Sequence, residues 1–192
     1  MSNSTDTPLH FHEAFSCLLD SSRIVIASLT WLKASVEQAQ TFFSPYPYVI
    51  ELACTATDKL IKIDKSILTL VQKEGFSKGT PLYSQALIDF YRIFTIAVKD
   101  IVWQESDFQP HLQRDEIQFL RHIRNASAHH NKFFFGSGKE RQKTINKLPV
   151  TWCGKVIDEQ LEGTQLYMEY MGPGDLFVLL SDVSALVAQP QS

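Results

Sequence analysis

Residues 114–135 read RDEIQFLRHIRNASAHHNKFFF and hold a dense group of side chains able to act on a substrate. At about 100° per residue, Phe119, Leu120, Ile123 and Ala126 fall on one side of a helix. Arg121, His122, Asn125 and His129 fall on the opposite side, with Arg124 at its margin. A helix would therefore gather two Arg, an Asn and two His on one exposed strip, with Asn125 and His129 one turn apart. That set suits phosphodiester chemistry. A histidine with an unperturbed pKa of about 6.5 shuttles protons at neutral pH. Arginine keeps its charge and forks two hydrogen bonds onto phosphate oxygens as negative charge builds there. Asparagine can orient the imidazole or donate to the phosphate. No HExxH, Cys/His zinc spacing or carboxylate cluster accompanies the strip, so the expected chemistry uses no metal and no cofactor.

Arg124-Asn125 followed by His129, at the end of a helix in an all-α domain of this size, resembles the HEPN superfamily (higher eukaryotes and prokaryotes nucleotide-binding domain). The family's mark is an Arg, four to six residues, then a His, often with a polar residue just after the Arg. His129 and His130 both satisfy that spacing from Arg124, and the resemblance spans roughly Glu13 to His130. It implies a metal-independent endoribonuclease, of a kind found in toxin–antitoxin and antiviral systems, whose cleft forms where two protomers meet. Arg124 would bind the scissile phosphate, His129 or His130 would act as general acid/base, and Asn125 would position them. The implied nucleophile is a 2′-hydroxyl of the RNA, and the implied partners are RNA, a second copy of the chain and a cognate antitoxin or other regulator. The branch paired with nucleotidyltransferase antitoxins carries a Tyr two residues after the His; this chain has Asn131 there, or Lys132 counted from His130. Two rival readings are a non-catalytic RNA- or nucleotide-binding module on the same fold and a plain helical interaction domain.

The elements that must position these residues read as helices. Apolar residues recur at three- and four-residue steps over Glu13 to Gln40, Tyr48 to Glu74, Thr80-Pro81 to Gln104, Leu112 to His129 and Leu176 to Ala188. Gly75 would stop the second, and Thr80 with Pro81 makes a good start for the third. Residues 1–12 read as a polar tail and 131–148 as a basic irregular segment. Over 149–170, β-branched and aromatic residues with Gly154 and Gly163 predict a small hairpin. The expectation is one domain over residues 1–192, an all-α antiparallel bundle of four to five helices with a hairpin-like insertion near the C-terminus.

Charge locates a partner that composition alone hides. The chain of 192 residues carries 18 Lys+Arg against 21 Asp+Glu, a net −3 that argues against a generic nucleic-acid coat. Residues 121–155, however, hold eight basic side chains and one acidic, a balance of +7. Arg121, His122, Lys132, Lys139, Arg141 and Lys143 are therefore the candidate RNA contacts. Residues 156–192 hold six acids and no Lys or Arg, a segment that could lie over the basic block.

The remaining features have ordinary explanations. The three thiols, Cys17, Cys54 and Cys153, are odd in number and widely spaced, which fits a reducing compartment, and the first two read as buried. MSNSTDTPLHFHE lacks a basic start and apolar core, so a cytoplasmic protein without membrane contact is expected. His10, His12 and Glu13 could bind a metal but read as solvated on a loose tail. Phe133, Phe134 and Phe135 could stack bases, with core packing or a dimer contact the more ordinary role. Trp31, Trp103 and Trp152 read as packing anchors. Tyr167, Tyr170 and Met171 suit either a partner surface or hairpin packing.

Overall fold

Helices stand over the apolar repeats at residues 81–104, 115–128 and 175–188. The computed structural model of the chain describes residues 9–27, 50–54, 59–63, 81–172 and 174–188, and these are mostly helical with a small hairpin near the C-terminus. The fold is all-α. The chain divides into two compact units, Arg23–Leu87 and Met1–Ser22 with Ile88–Ser192. Among the described residues no helix is long and apolar enough to cross a membrane.

In the smaller unit, strand β1 (Ile50–Cys54) pairs antiparallel with β2 (Lys59–Ile63), setting Ile50 opposite Ile63 and Leu52 opposite Ile61. This corrects the helix expected from Tyr48 to Glu74. Leu52 and Leu60 fit a helical repeat, yet Ile50, Leu52 and Cys54 also alternate at period two, as do Ile61 and Ile63. Short apolar runs satisfy both periods, and β-branched residues favour the pleat. The same register sets Glu51 opposite Lys62. Residues 64–75, with the expected glycine stop, lie outside the described residues, as do Trp31 and the rest of the first segment beyond residue 27.

The larger unit holds the candidate site. A 3₁₀ turn at Glu13–Phe15 leads into helix α1 at residues 16–27. Phe15 of the turn and Leu19 and Ser22 of the helix are buried, at the i, i+4, i+7 spacing of one face. Cys17 points the other way and is exposed, contrary to the buried thiol expected. Residues 9–12 are tied down rather than loose. His12 donates its N–H to Ser184 Oγ at 2.9 Å, accepts from the N–H of Ala14 at 3.3 Å and packs its ring 5.0 Å from Phe108.

Helix α2 (Pro81–Gln104) begins on the proline, where the missing N–H costs nothing, and buries Phe94, Val98 and Val102. Thr80 lies outside the described residues. A 3₁₀ segment, Ser106–His111, turns around Pro110 and plants Phe108 in the core. Helix α3 (Asp115–Ala128) follows, then α4 (Gly138–Ile145), the hairpin of β3 (Val150–Trp152) and β4 (Lys155–Ile157), and finally α5 (Asp175–Ala188). The expected irregular segment 131–148 thus contains a helix. Its eight residues bury nothing, so no apolar stripe could announce it; charged and polar side chains of fair helix propensity suffice. The hairpin and the last helix stand where expected. Helix α3 packs against β3 and α5: Phe119 sits 5.3 Å from Trp152, whose indole N–H donates to Asp182 on α5 at 2.8 Å. Tyr167 and Met171, each 1% exposed, belong to this core and not to a partner surface.

After α3 the chain reverses without a glycine. His130 and Asn131 take φ of +56° and +65°, a left-handed conformation that His and Asn tolerate better than most residues. Asn131 is buried, and both ends of its amide are used on one residue. Its Nδ2 donates to the Tyr167 carbonyl at 3.2 Å and its Oδ1 accepts the Tyr167 N–H at 2.9 Å, while its own carbonyl accepts from Leu166 at 2.8 Å. Replacing Asn131 by Ala should cost about 2–4 kcal/mol, because it orphans two buried backbone groups and strains a left-handed residue. Asn131→Gly should recover only the backbone part, roughly 1 kcal/mol. Urea unfolding of the three proteins checks this; an alanine variant within about 0.5 kcal/mol of wild type would mean the bracket carries no load.

Candidate functional site

Helix α3 is buried on far more than half its circumference. Ile117, Phe119, Leu120, His122, Ile123, Ala126 and Ser127 are all buried, leaving Arg121, Arg124 and Asn125 half-buried on the remaining face. His122 corrects the expected exposed strip. It is 3% exposed, with its ring 6.4 Å from that of Phe135, which crosses back after the turn. Burial lowers its pKa to about 4, with the nearby positive charges of Arg121 and Lys147 adding to the effect. His122 is therefore neutral at pH 7 and no surface contact for RNA.

The other imidazoles stand where a substrate could reach them. His129 caps α3, its N–H donating to the Asn125 carbonyl at 3.0 Å, and both His129 and His130 are exposed. The one-turn relation of Asn125 and His129 thus exists in the backbone. Arg124, one residue before Asn125, has its Nε buried and without a hydrogen-bond partner. A buried guanidinium N–H with no acceptor costs on the order of 1–3 kcal/mol. Arg92 of α2 closes the same helix end, donating from Nε to the Ser127 carbonyl at 2.8 Å. A cation is favourable at a helix C-terminus, and nothing in the local sequence pairs residue 92 with residue 127.

The three phenylalanines separate by parity. Phe133 and Phe135 are each 2% exposed, whereas Phe134 is 44% exposed, its ring 4.8 Å from that of His129. Phe133 exchanges backbone hydrogen bonds with Gly163 and Thr164, and the Phe135 N–H donates to the Glu162 carboxylate at 3.4 Å. This pairing fixes which rings turn inward.

The basic block resolves into paired and unpaired cations. Arg141 pairs with Glu162, Lys143 with Glu140 at 2.9 Å and Lys155 with Asp175 at 3.3 Å. Arg121, Lys132, Lys139 and Lys147 make no ion pair within the described residues. Two of the six acids beyond residue 155 therefore neutralise particular block cations without touching Arg121, Lys132 or Lys139. Lys147 did not stand out as a site residue in the sequence; only its folding back toward His122 distinguishes it. His10 and His12 are held by Ser181 and Ser184, and His12 Nε2 lies 3.4 Å from Asp107. Among the described residues no three His, Cys, Asp or Glu side chains converge as metal ligands.

No protein-family model matches this chain, and neither a curated protein nor a solved structure is significantly similar to it.

The burial of His122 generates a pH dependence. Above pH 6.5 the imidazole is neutral in both states and costs nothing. Between pH 6.5 and about 4 the unfolded chain takes up a proton that the folded one resists. Stability is then lost as pH falls, by roughly 3 kcal/mol in all. His122→Leu should lose this component, so its stability relative to wild type improves steadily from pH 7 to pH 4 in urea unfolding. Parallel curves would show that His122 ionises freely.

Proposed function

We propose that this chain is a metal-independent endoribonuclease of HEPN type, acting as a cytoplasmic homodimer in a toxin or antiviral role, with a cognate antitoxin or other regulator. The observation that carries the reading is the end of α3. There a half-buried Arg124 with an unpartnered Nε precedes Asn125, and two exposed histidines follow within six residues. Arg124 supplies a permanent charge for the phosphate, and His129 or His130 supplies a proton shuttle. The unpaired Arg121, Lys132 and Lys139 support a polyanionic substrate through their charge.

In the proposed reaction the imidazole takes the proton of an RNA 2′-hydroxyl and the 2′-oxygen attacks the adjacent phosphorus. The bond to the 5′-oxygen breaks and the imidazolium returns its proton to that oxygen, leaving a 2′,3′-cyclic phosphate and a 5′-hydroxyl. Arg124 offsets the charge that accumulates on the phosphoryl oxygens. No water molecule and no metal ion takes part in these steps.

Single-stranded RNA incubated with the protein in EDTA tests the reading. Wild type should cleave, and Arg124→Ala or His129→Ala should each lose at least a hundredfold in rate, about 2.7 kcal/mol in the barrier. Comparing His129→Ala with His130→Ala identifies the working base. Equal cleavage by wild type and both variants would overturn the site. RNA binding without cleavage would leave the non-catalytic module.

A further inference from the structure

Phe134 is an exposed ring that the fold holds outward. Its neighbours Phe133 and Phe135 are buried in the core, Phe133 fixed by backbone hydrogen bonds to Gly163 and Thr164 and Phe135 by its N–H donating to the Glu162 carboxylate. Rotation of the 133–135 run to bury Phe134 would break those bonds and expose two rings, so its exposure is imposed and not a fluctuation. Lys132, two residues earlier, is exposed as well and makes no ion pair within the described residues. His129 completes the surface, its ring tilted 54° to that of Phe134 at 4.8 Å. An aromatic face, an unpaired lysine and an imidazole on one edge are the parts of a single-strand platform: the ring stacks on a base and the ammonium meets the backbone.

We infer that Phe134 is a nucleobase-stacking residue that, with Lys132, seats one base of a single-stranded RNA beside His129. The inference rests on the reading of this helix end as an RNA-facing site and narrows its substrate to unpaired strands. In a duplex both faces of each base are covered by neighbouring pairs, so the ring has nothing to stack on. Phe134 touches the substrate base and not the reacting atoms. Its loss should therefore act through binding more than through the chemical step.

The probe is a 12-nucleotide single-stranded RNA with 2′-O-methyl groups, whose blocked 2′-oxygens prevent cleavage, alongside the same sequence as a duplex. The full-length protein should bind the single strand more tightly than the duplex. Phe134→Ala should weaken the single-strand complex about tenfold or more, and Phe134→Leu, which keeps bulk without the π face, should weaken it similarly. Phe134→Trp should retain binding and show indole emission quenched by the single strand beyond any change in wild type. Unchanged affinity in both the alanine and leucine variants, no binding by wild type, or equal preference for the duplex would each overturn the inference. A Phe134→Ala variant that shifts the monomer–dimer balance in sedimentation while keeping its RNA affinity would assign the ring to a second copy, again overturning it. The two readings fail separately. Wild type that binds through Phe134 but leaves unmodified RNA intact removes the nuclease and keeps the platform. Cleavage with KM unchanged by Phe134→Ala removes the platform and keeps the nuclease.

Discussion

Asn131 sets the geometry on which the candidate site depends. A helix that ends without glycine must find another residue for the left-handed turn, and its last carbonyls need partners. His130 and Asn131 supply the turn, and Asn131 then uses both atoms of its amide on Tyr167, imitating one rung of a strand ladder. The rung is continued by the bridge between Lys132 and Gln165 and by the bonds of Phe133 to Gly163 and Thr164. Residues 131–135 are thereby held in one register against 162–167. That register sends Phe133 and Phe135 inward, covers His122 and leaves Lys132 and Phe134 facing out. A single side chain thus links helix termination, core packing and the surface beside His129.

Electrostatics follow the same frame. A balance of +7 over residues 121–155 describes a stretch of chain, whereas a ligand meets charges that are exposed and unpaired. Folding ties Arg141 to Glu162 and Lys155 to Asp175, pairs that are partly exposed and each worth only about 0–1 kcal/mol. Their larger effect is to remove positive charge from one part of the surface. Arg121, Lys132 and Lys139 keep theirs. The acidic C-terminal stretch acts in part as a set of selective partners, and α5 buries Leu176, Leu179, Leu180 and Val183 besides, so this stretch is also core.

What could be read from the sequence follows from how far each signal reaches. Helix α2 announces itself because 24 residues of apolar repeat begin on a proline, and β3–β4 because Gly154 sits between two β-branched runs. The 50–63 hairpin is hidden because its apolar residues satisfy two periods at once, and strand pairing is a contact between segments. The burial of His122 is hidden for a different reason. A wheel of α3 identifies the most apolar direction but not how wide the buried arc is. That width depends on β3 and on Phe135 closing over the flank, which the 121–126 segment does not encode. The spacing of Arg124, Asn125 and His129 was legible; the isolation of the Arg124 Nε was not.

Helix α3 also departs from what stability alone would select. Glu116, His122 and Arg124 each hold a buried side-chain atom with no hydrogen bond, although Arg114 at 3.8 Å offsets the charge of Glu116. Among the described residues only Tyr170 adds another such atom outside this helix. Each unsatisfied group costs on the order of 1–3 kcal/mol, and most buried polar groups in folded proteins avoid it. An apolar residue at position 124 would be cheaper for the fold than a cation with a buried, partnerless Nε. Such costs are tolerated where the group has work outside the folded chain, because a ligand or partner that supplies the missing acceptor recovers the energy as binding. Arg124 lies beside Asn125 and one turn before two exposed imidazoles. Under the proposed function the acceptor it lacks is a phosphate oxygen of the RNA, and the two histidines that follow supply the proton shuttle.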